Sequence, residues 1–183
     1  MRIALFGDSQ AGGLGPHLDD LVFADTFDGY TTARVVDAAQ WSAAEAADPD
    51  VVLVVSGGND TAGRNYQHTL EAAVDAFSDI AQRIVWVGPS QSDNREVTAR
   101  HDAVREQQAL ILPRLGIEFL DPRVWQVGIA GEHTPDGTHF TRRAYAAQAQ
   151  AILAELNRFR WGPWLALAAG AAAIGIGYAA AQR

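Results

Sequence analysis

Residues 51–60 of the chain read Val-Val-Leu-Val-Val-Ser-Gly-Gly-Asn-Asp. Five apolar residues without a polar interruption predict a strand that is buried on both faces, as strands of parallel sheets are. The residues that follow are turn formers, so the strand ends in a polar loop. This order is typical of α/β proteins, in which ligands bind beyond the carboxyl ends of the strands.

Further apolar runs and helical patterns on both sides of this segment predict the rest of the fold. The apolar runs are short and, apart from Arg34 and Glu118, continuous, and they lie at residues 3–6, 33–36, 84–87 and 117–120. The amphipathic helical patterns lie at residues 38–47, 66–83, 97–115 and 141–159. Because strands alternate with helices, we expect an α/β protein in which a parallel sheet lies between two layers of helices.

Composition excludes several classes of protein. The chain has 183 residues, enough for one domain with a sizeable core, and a net charge of −8. An acidic surface argues against nucleic-acid binding, which requires a cationic one. The absence of cysteine excludes disulfides and thiolate chemistry. The apolar run at residues 3–6 is too short for a signal peptide, so we expect no N-terminal export signal.

Three polar blocks carry the candidate chemistry: Gly-Asp-Ser at residues 7–9, Gly-Gly-Asn-Asp at residues 57–60 and Asp-Gly-Thr-His at residues 136–139. A serine hydroxyl such as that of Ser9 needs a base, and His139 oriented by Asp136 would supply one. The side-chain amide of Asn59 is suited to an oxyanion. Each block alone is also an ordinary turn, so the combination carries the prediction.

Together the three blocks resemble those of the SGNH (GDSL-like) hydrolases, over about residues 1–158. The resemblance implies a flavodoxin-like three-layer sandwich whose five strands have the order 2-1-3-4-5. It further implies that Ser9 attacks an ester carbonyl, that His139 transfers the proton and that Asp136 orients His139. The Ser9 backbone amide and Asn59 would stabilise the oxyanion, and neither a metal nor an organic cofactor is expected.

One block departs from the family, which usually supplies a glycine after the second strand as another oxyanion donor. With the second strand at residues 33–36, the following residues 36–41 contain no glycine. The backbone amide of Ala38, or of its neighbour Ala39, is then expected to serve instead. The loss of one such donor lowers a rate by roughly 10²–10³-fold, so low activity would follow.

Three further residues near predicted strand ends are expected to bind substrate: Asp60, Ser90 and Trp125. Short loops predict an open site for a small acyl group such as acetyl, carried by a glycan or peptidoglycan. His133, with Asp136 and His139, has a spacing that also suggests a metal site. The triad is favoured over this alternative because no further ligand is evident. His17, His68 and His101 are expected at the surface.

Residues 161–181 contain no charged side chain and are long enough to span a bilayer. We therefore expect a domain at residues 1–160 and a hydrophobic helix at residues 161–183 that lies in a membrane or in a larger assembly. The alternative to a membrane helix is a soluble helix rich in Ala and Gly that is buried in an oligomer or larger assembly. The opening at residues 7–16 also resembles phage members of the family, which leaves a second function open: a virion or membrane-docking protein with little turnover.

Overall fold

The computed structural model describes residues 1–126 and 132–158. In these residues five strands form one sheet in the order 2-1-3-4-5, and every neighbouring pair is parallel, which confirms the predicted topology. The strands are β1 (Ile3–Gly7), β2 (Leu21–Thr26), β3 (Val51–Val55), β4 (Ile84–Val87) and β5 (Glu118–Leu120).

Helices connect the strands, as the alternation of patterns predicts. They are α1 (Ser9–Leu14), α2 (Thr32–Ala38), α3 (Trp41–Ala46), α4 (Arg64–Ser78), α5 (Arg95–Ile111), α6 (Arg123–Gln126) and α7 (residues 142–158). Short 3-10 turns follow α1 and α5, at Gly15–His17 and Leu112–Leu115. Pro113 ends α5 as a regular helix, because its ring cannot continue the hydrogen-bond ladder.

The core lies on both faces of the sheet. On one face, the ring of Phe77 from α4 lies 5.1 Å from that of Phe6 on β1 and 6.2 Å from that of Trp86 on β4. On the other face, Leu5 points toward Gly15 at the end of α1. The continuous apolar runs of β1 and β3 are therefore explained, since every residue in them is buried.

The second strand is not at residues 33–36, where the sequence pattern placed it. Those residues belong to α2, which begins after Thr31, whose hydroxyl accepts the Arg34 N–H at 3.4 Å. The strand is Leu21–Thr26, which lies at the edge of the sheet and is only partly buried. The sequence pattern missed this strand although Leu21–Ala24 is a run of four apolar residues, as long as the run at residues 3–6, and is followed by Asp25.

By its internal contacts the chain divides into two compact units, Met1–Ala149 and Gln150–Arg183. Within the described ranges, no helix is both long and apolar enough to cross a membrane. The predicted hydrophobic helix at residues 161–183 and the predicted boundary after residue 160 lie outside those ranges. Both stay predictions.

Candidate active site

Ser9 lies where the central strand of the sheet meets the first helix. Gly7 ends β1, and a Cβ there would lie 2.0 Å from the Val55 carbonyl oxygen, so only glycine fits. Asp8 caps α1 by accepting the Gln10 N–H at 2.9 Å. Ser9 is thereby the first residue of α1, where backbone N–H groups have no partner within the helix.

The three predicted triad residues are brought together. The Oγ of Ser9 lies 2.7 Å from the Nε2 of His139, and the Nδ1 of His139 lies 2.7 Å from the Oδ2 of Asp136. An ionised carboxylate can only accept hydrogen bonds, so His139 donates from Nδ1. Its Nε2 is then the acceptor for the Ser9 hydroxyl, which is the geometry of general-base activation.

Asp136 is held by the turn that it begins. Its Oδ1 accepts the backbone N–H groups of Thr138 at 2.8 Å and His139 at 2.9 Å, which leaves Oδ2 for the imidazole. These backbone donors, and after them the His139 ring, hold the pKa of Asp136 well below its ordinary value. Gly137 permits the turn, because its φ of +69° is unfavourable for other residues.

The loops that flank Ser9 carry further hydrogen-bond donors. Asn59 follows β3, and its Nδ2 donates to the Tyr30 carbonyl at 3.1 Å. Since an amide nitrogen has two protons, the second remains for a ligand in the pocket, which Asn59 lines. Tyr30 belongs to the loop after β2, so this contact joins the two flanking loops.

The expected role of Ala38 is wrong, because it rested on the misplaced second strand. Ala38 is the exposed last residue of α2 and is not among the described residues that line the pocket. The loop that follows the real β2 contains Gly29, which lines the pocket with Ser9 and Asn59 and has a φ of +71°. The Asp28-Gly29 pair, a turn signal, is the feature by which sequence reasoning could have found this position.

Both backbone polar groups of Gly58, the neighbour of Asn59, are in contact with side chains. Its N–H donates to the Oδ2 of Asp8 at 3.2 Å. Its carbonyl oxygen lies 3.0 Å from the Nε2 of His101 and accepts from the Nη2 of Arg100 at 2.9 Å. The loop that carries Asn59 is therefore tied both to the residue before Ser9 and to α5.

His101 is buried, so its expected place at the surface is wrong. Only 2% of the residue is exposed, and its Nδ1 lies 2.6 Å from the Ser90 carbonyl oxygen. Burial lowers the pKa of His101, while the hydrogen bonds to two carbonyls act in the opposite direction. Sequence gave no signal for this role, since His101 meets Gly58 only through the packing of α5 on the sheet.

The three expected substrate residues do not line the pocket. Asp60 is buried, and its carboxylate accepts from the N–H of Thr32 at 3.0 Å and from its Oγ1 at 2.8 Å, which ties the loop after β3 to α2. Burial raises the pKa of Asp60. Ser90 is also buried, with its carbonyl on His101, and Trp125 is half-buried in α6.

A pocket of about 790 Å³ opens over Ser9 and His139. Groups of both charges line it, with Asp28 from the loop after β2 and Arg100 from α5. Of the described residues that line it, only Val97 has an aliphatic side chain. The other described residues are Asp8, Ser9, Gln10, Gly12, Gly13, Gly29, Gly58, Asn59, His101, Asp136, Thr138, His139 and Tyr145.

His133 does not join Asp136 and His139 as a third ligand. Its Nδ1 pairs with the Oδ1 of Asp93 at 2.8 Å, and its ring stacks on Phe140 at 4.4 Å. In residues 1–126 and 132–158 no group of three or more acidic or histidine side chains is arranged to hold a metal ion. His139 instead contacts Ser9, and Asp136 contacts His139.

The parallel sheet and the Ser–His–Asp geometry at its carboxyl edge are those of the serine-hydrolase class. A family model, the GDSL-like lipase/acylhydrolase family, matches residues 5–147. The chain belongs to this family. No curated protein sequence matches the chain.

Solved structures share the fold at low sequence identity. A member of the lipolytic G-D-S-L family from Veillonella parvula is 19% identical, with a TM-score of 0.68 over 86% of this chain and 99% of its own. A catalytic mutant of an acetylxylan esterase from Geobacillus stearothermophilus is 14% identical, with a TM-score of 0.63 over 84% and 93%. A GDSL-like lipase from Bacteroides thetaiotaomicron is 15% identical, with a TM-score of 0.61 over 86% and 88%.

Proposed function

We propose that the protein is a serine esterase that hydrolyses small acyl esters, above all acetyl esters on a glycan. The observation that carries this proposal is the unbroken contact series from the Oγ of Ser9 to His139 and from His139 to Asp136, each step being 2.7 Å. A serine hydroxyl paired with an oriented base at the floor of a pocket is arranged for nucleophilic attack on a carbonyl.

In the proposed reaction, the Oγ of Ser9 attacks the ester carbonyl while the Nε2 of His139 takes its proton. His139 then gives this proton to the leaving alcohol, and water reverses the sequence to release the acid. Asp136 stabilises the imidazolium that forms in between. The backbone N–H of Ser9, the free amide proton of Asn59 and the backbone N–H of Gly29 stabilise the oxyanion, with Gly29 in the place first expected of Ala38.

The lining of the pocket supports a small acyl group and a polar alcohol. Val97 is the one aliphatic side chain among the described lining residues, so a long acyl chain finds few aliphatic partners there. Asp28, Asn59 and Arg100 offer acceptors and donors that suit sugar hydroxyls. The similarity to an acetylxylan esterase agrees with an acetylated polysaccharide as substrate.

The first test is hydrolysis of p-nitrophenyl acetate by the full chain and by its Ser9→Ala variant. We expect turnover by the wild type and background rates from Ser9→Ala, while Ser42→Ala, at an exposed serine on α3, keeps wild-type activity. A series of acetyl, butyryl and octanoyl esters tests chain length, and a preference for octanoyl would overturn the small-acyl proposal. Acetylated xylan and peptidoglycan then test the glycan.

Of the two observations that favour the alternative, a docking protein with little turnover, one no longer holds. This alternative rested partly on the missing glycine after the second strand, and Gly29 occupies that loop. The other support, the segment at residues 161–183, lies outside the described residues. An absence of hydrolysis on every ester above, with the protein folded, would favour this alternative.

A further inference from the structure

Gln10 and Thr138 are the chain neighbours of the two residues proposed to exchange a proton. Gln10 follows Ser9, and Thr138 precedes His139. The side-chain Nε2 of Gln10 donates to the Thr138 carbonyl at 2.9 Å. One hydrogen bond therefore joins the α1 side of the site to the loop that carries His139.

The amide of Gln10 is held in the orientation that this bond requires. Tyr145 on α7 donates its hydroxyl to the Oε1 of Gln10 at 3.0 Å, so the Nε2 is directed at Thr138. Gln10 and Tyr145 are both buried, with 7% and 6% exposed. Gly13 makes room for this pair, since a Cβ there would lie 2.3 Å from the Tyr145 ring.

The Gln10 contact depends on the polar side chain that follows Ser9 in this chain. The G-D-S-L motif after which the family is named has leucine at the position of Gln10, and a leucine side chain has no donor for a carbonyl. The loop at residues 134–139 has other attachments, because the Ser92 hydroxyl donates to the Gly137 carbonyl at 2.6 Å. Replacement of Gln10 should therefore shift His139 without unfolding its loop.

We propose that Gln10 is a positioning residue that sets the distance between Ser9 and His139 through the Thr138 backbone. This inference rests on the proposed hydrolysis by Ser9. Because a displacement of about 1 Å between reacting groups lowers a rate by about 10²-fold, loss of the bond should lower kcat rather than substrate affinity.

The test compares the full-length wild type with Gln10→Leu and Tyr145→Phe in p-nitrophenyl acetate hydrolysis. We expect kcat to fall by about 10- to 100-fold in Gln10→Leu and by a smaller factor in Tyr145→Phe, with KM within about threefold of wild type. Tyr66→Phe is the matched control. It removes a buried hydroxyl whose partners are Gln108 and Thr32, neither of which lines the pocket among the described residues, so it should keep wild-type kcat.

A second readout uses a fluorophosphonate. The Oγ of Ser9 forms a bond to phosphorus, the P–F bond breaks to release fluoride, and His139 takes the hydroxyl proton. The labelling rate should fall by the same factor as kcat. Wild-type kcat and labelling rates in folded Gln10→Leu would overturn the inference. If that variant does not fold, Tyr145→Phe decides by the same criterion. If the wild type hydrolyses no ester, the proposed function fails, and the labelling rates still decide the role of Gln10.

Discussion

The carboxylate of Asp8 joins two parts of the site, because its Oδ1 accepts from the Gln10 N–H and its Oδ2 from the Gly58 N–H. The residue before Ser9 thus holds the loop that carries the Asn59 amide. Asp8 is 1% exposed, and this burial raises its pKa to about 6 against the two backbone hydrogen bonds, which lower it.

Asp8→Asn should change how stability depends on pH. Because the pKa of Asp8 is higher in the folded chain than its ordinary value of 3.8, the folded state holds a proton that the unfolded state loses. The free energy of unfolding therefore falls by about 3 kcal/mol as the pH rises from about 4 to about 6, because the ionised carboxyl of Asp8 is disfavoured in the folded chain. Urea unfolding of both proteins from pH 4 to pH 7 measures it, and parallel curves would contradict the prediction.

Gly29→Ala should impair catalysis as well as stability. At a φ of +71° an alanine is strained by about 1 kcal/mol, although no atom lies within 4 Å of the added Cβ. Relief of the strain would move the Gly29 N–H, and we expect kcat to fall by about 10-fold. Gly116→Ala is the control, since Gly116 has a φ of +79° and an equally open Cβ position before β5. Equal kcat in the two variants would remove Gly29 from the proposed oxyanion site.

His101→Asn and His101→Gln should differ in activity. The amide nitrogen of glutamine reaches about as far as the Nε2 of histidine and can still donate to the Gly58 carbonyl, whereas that of asparagine reaches only as far as Nδ1. We expect kcat to fall by about 10-fold in the asparagine variant and less in the glutamine variant. Steady-state kinetics with melting temperatures test this. A loss of stability with unchanged kcat in both would mean that His101 only supports the fold.

The prediction of a membrane or assembly helix at residues 161–183 is tested on the full chain by flotation with phospholipid vesicles. We expect the wild type to float and Ile174→Arg, which places a charge near the middle of residues 161–181, to float less. An arginine at the centre of a spanning helix is unfavourable by about 3 kcal/mol. A wild type that remains in the dense fraction would contradict the membrane prediction.

The sequence predicts those features that local pattern determines. The run Val51–Val55 is buried on both faces, so its composition alone identifies a central strand. Asp136 and His139 meet within one turn, and their spacing is sufficient to suggest the pair. At the sheet edge the prediction was wrong, because the run Ala33–Val36 was taken as the strand and the four apolar residues Leu21–Ala24 of β2 were not.

One error led to another at this edge. Because β2 was predicted at residues 33–36, the oxyanion donor after it was predicted at Ala38 and not at Gly29. The roles of Gln10 and His101 were missed for a different reason, since each depends on a partner far along the chain, at Thr138 and Gly58 respectively. Neither the periodicity of a helix nor the spacing of a motif predicts which distant loop a helix face will contact.

The strand order 2-1-3 places the loop of Ser9 between the loops of Gly29 and Asn59. Neighbouring strands are about 4.8 Å apart, so the distance between strands determines how far apart the three groups proposed to act on one carbonyl lie. This spacing does not depend on the length of the segments that connect each loop to the next strand. Insertions in those segments can change which acid or alcohol the pocket accommodates, while the three groups keep their positions around the reacting carbonyl.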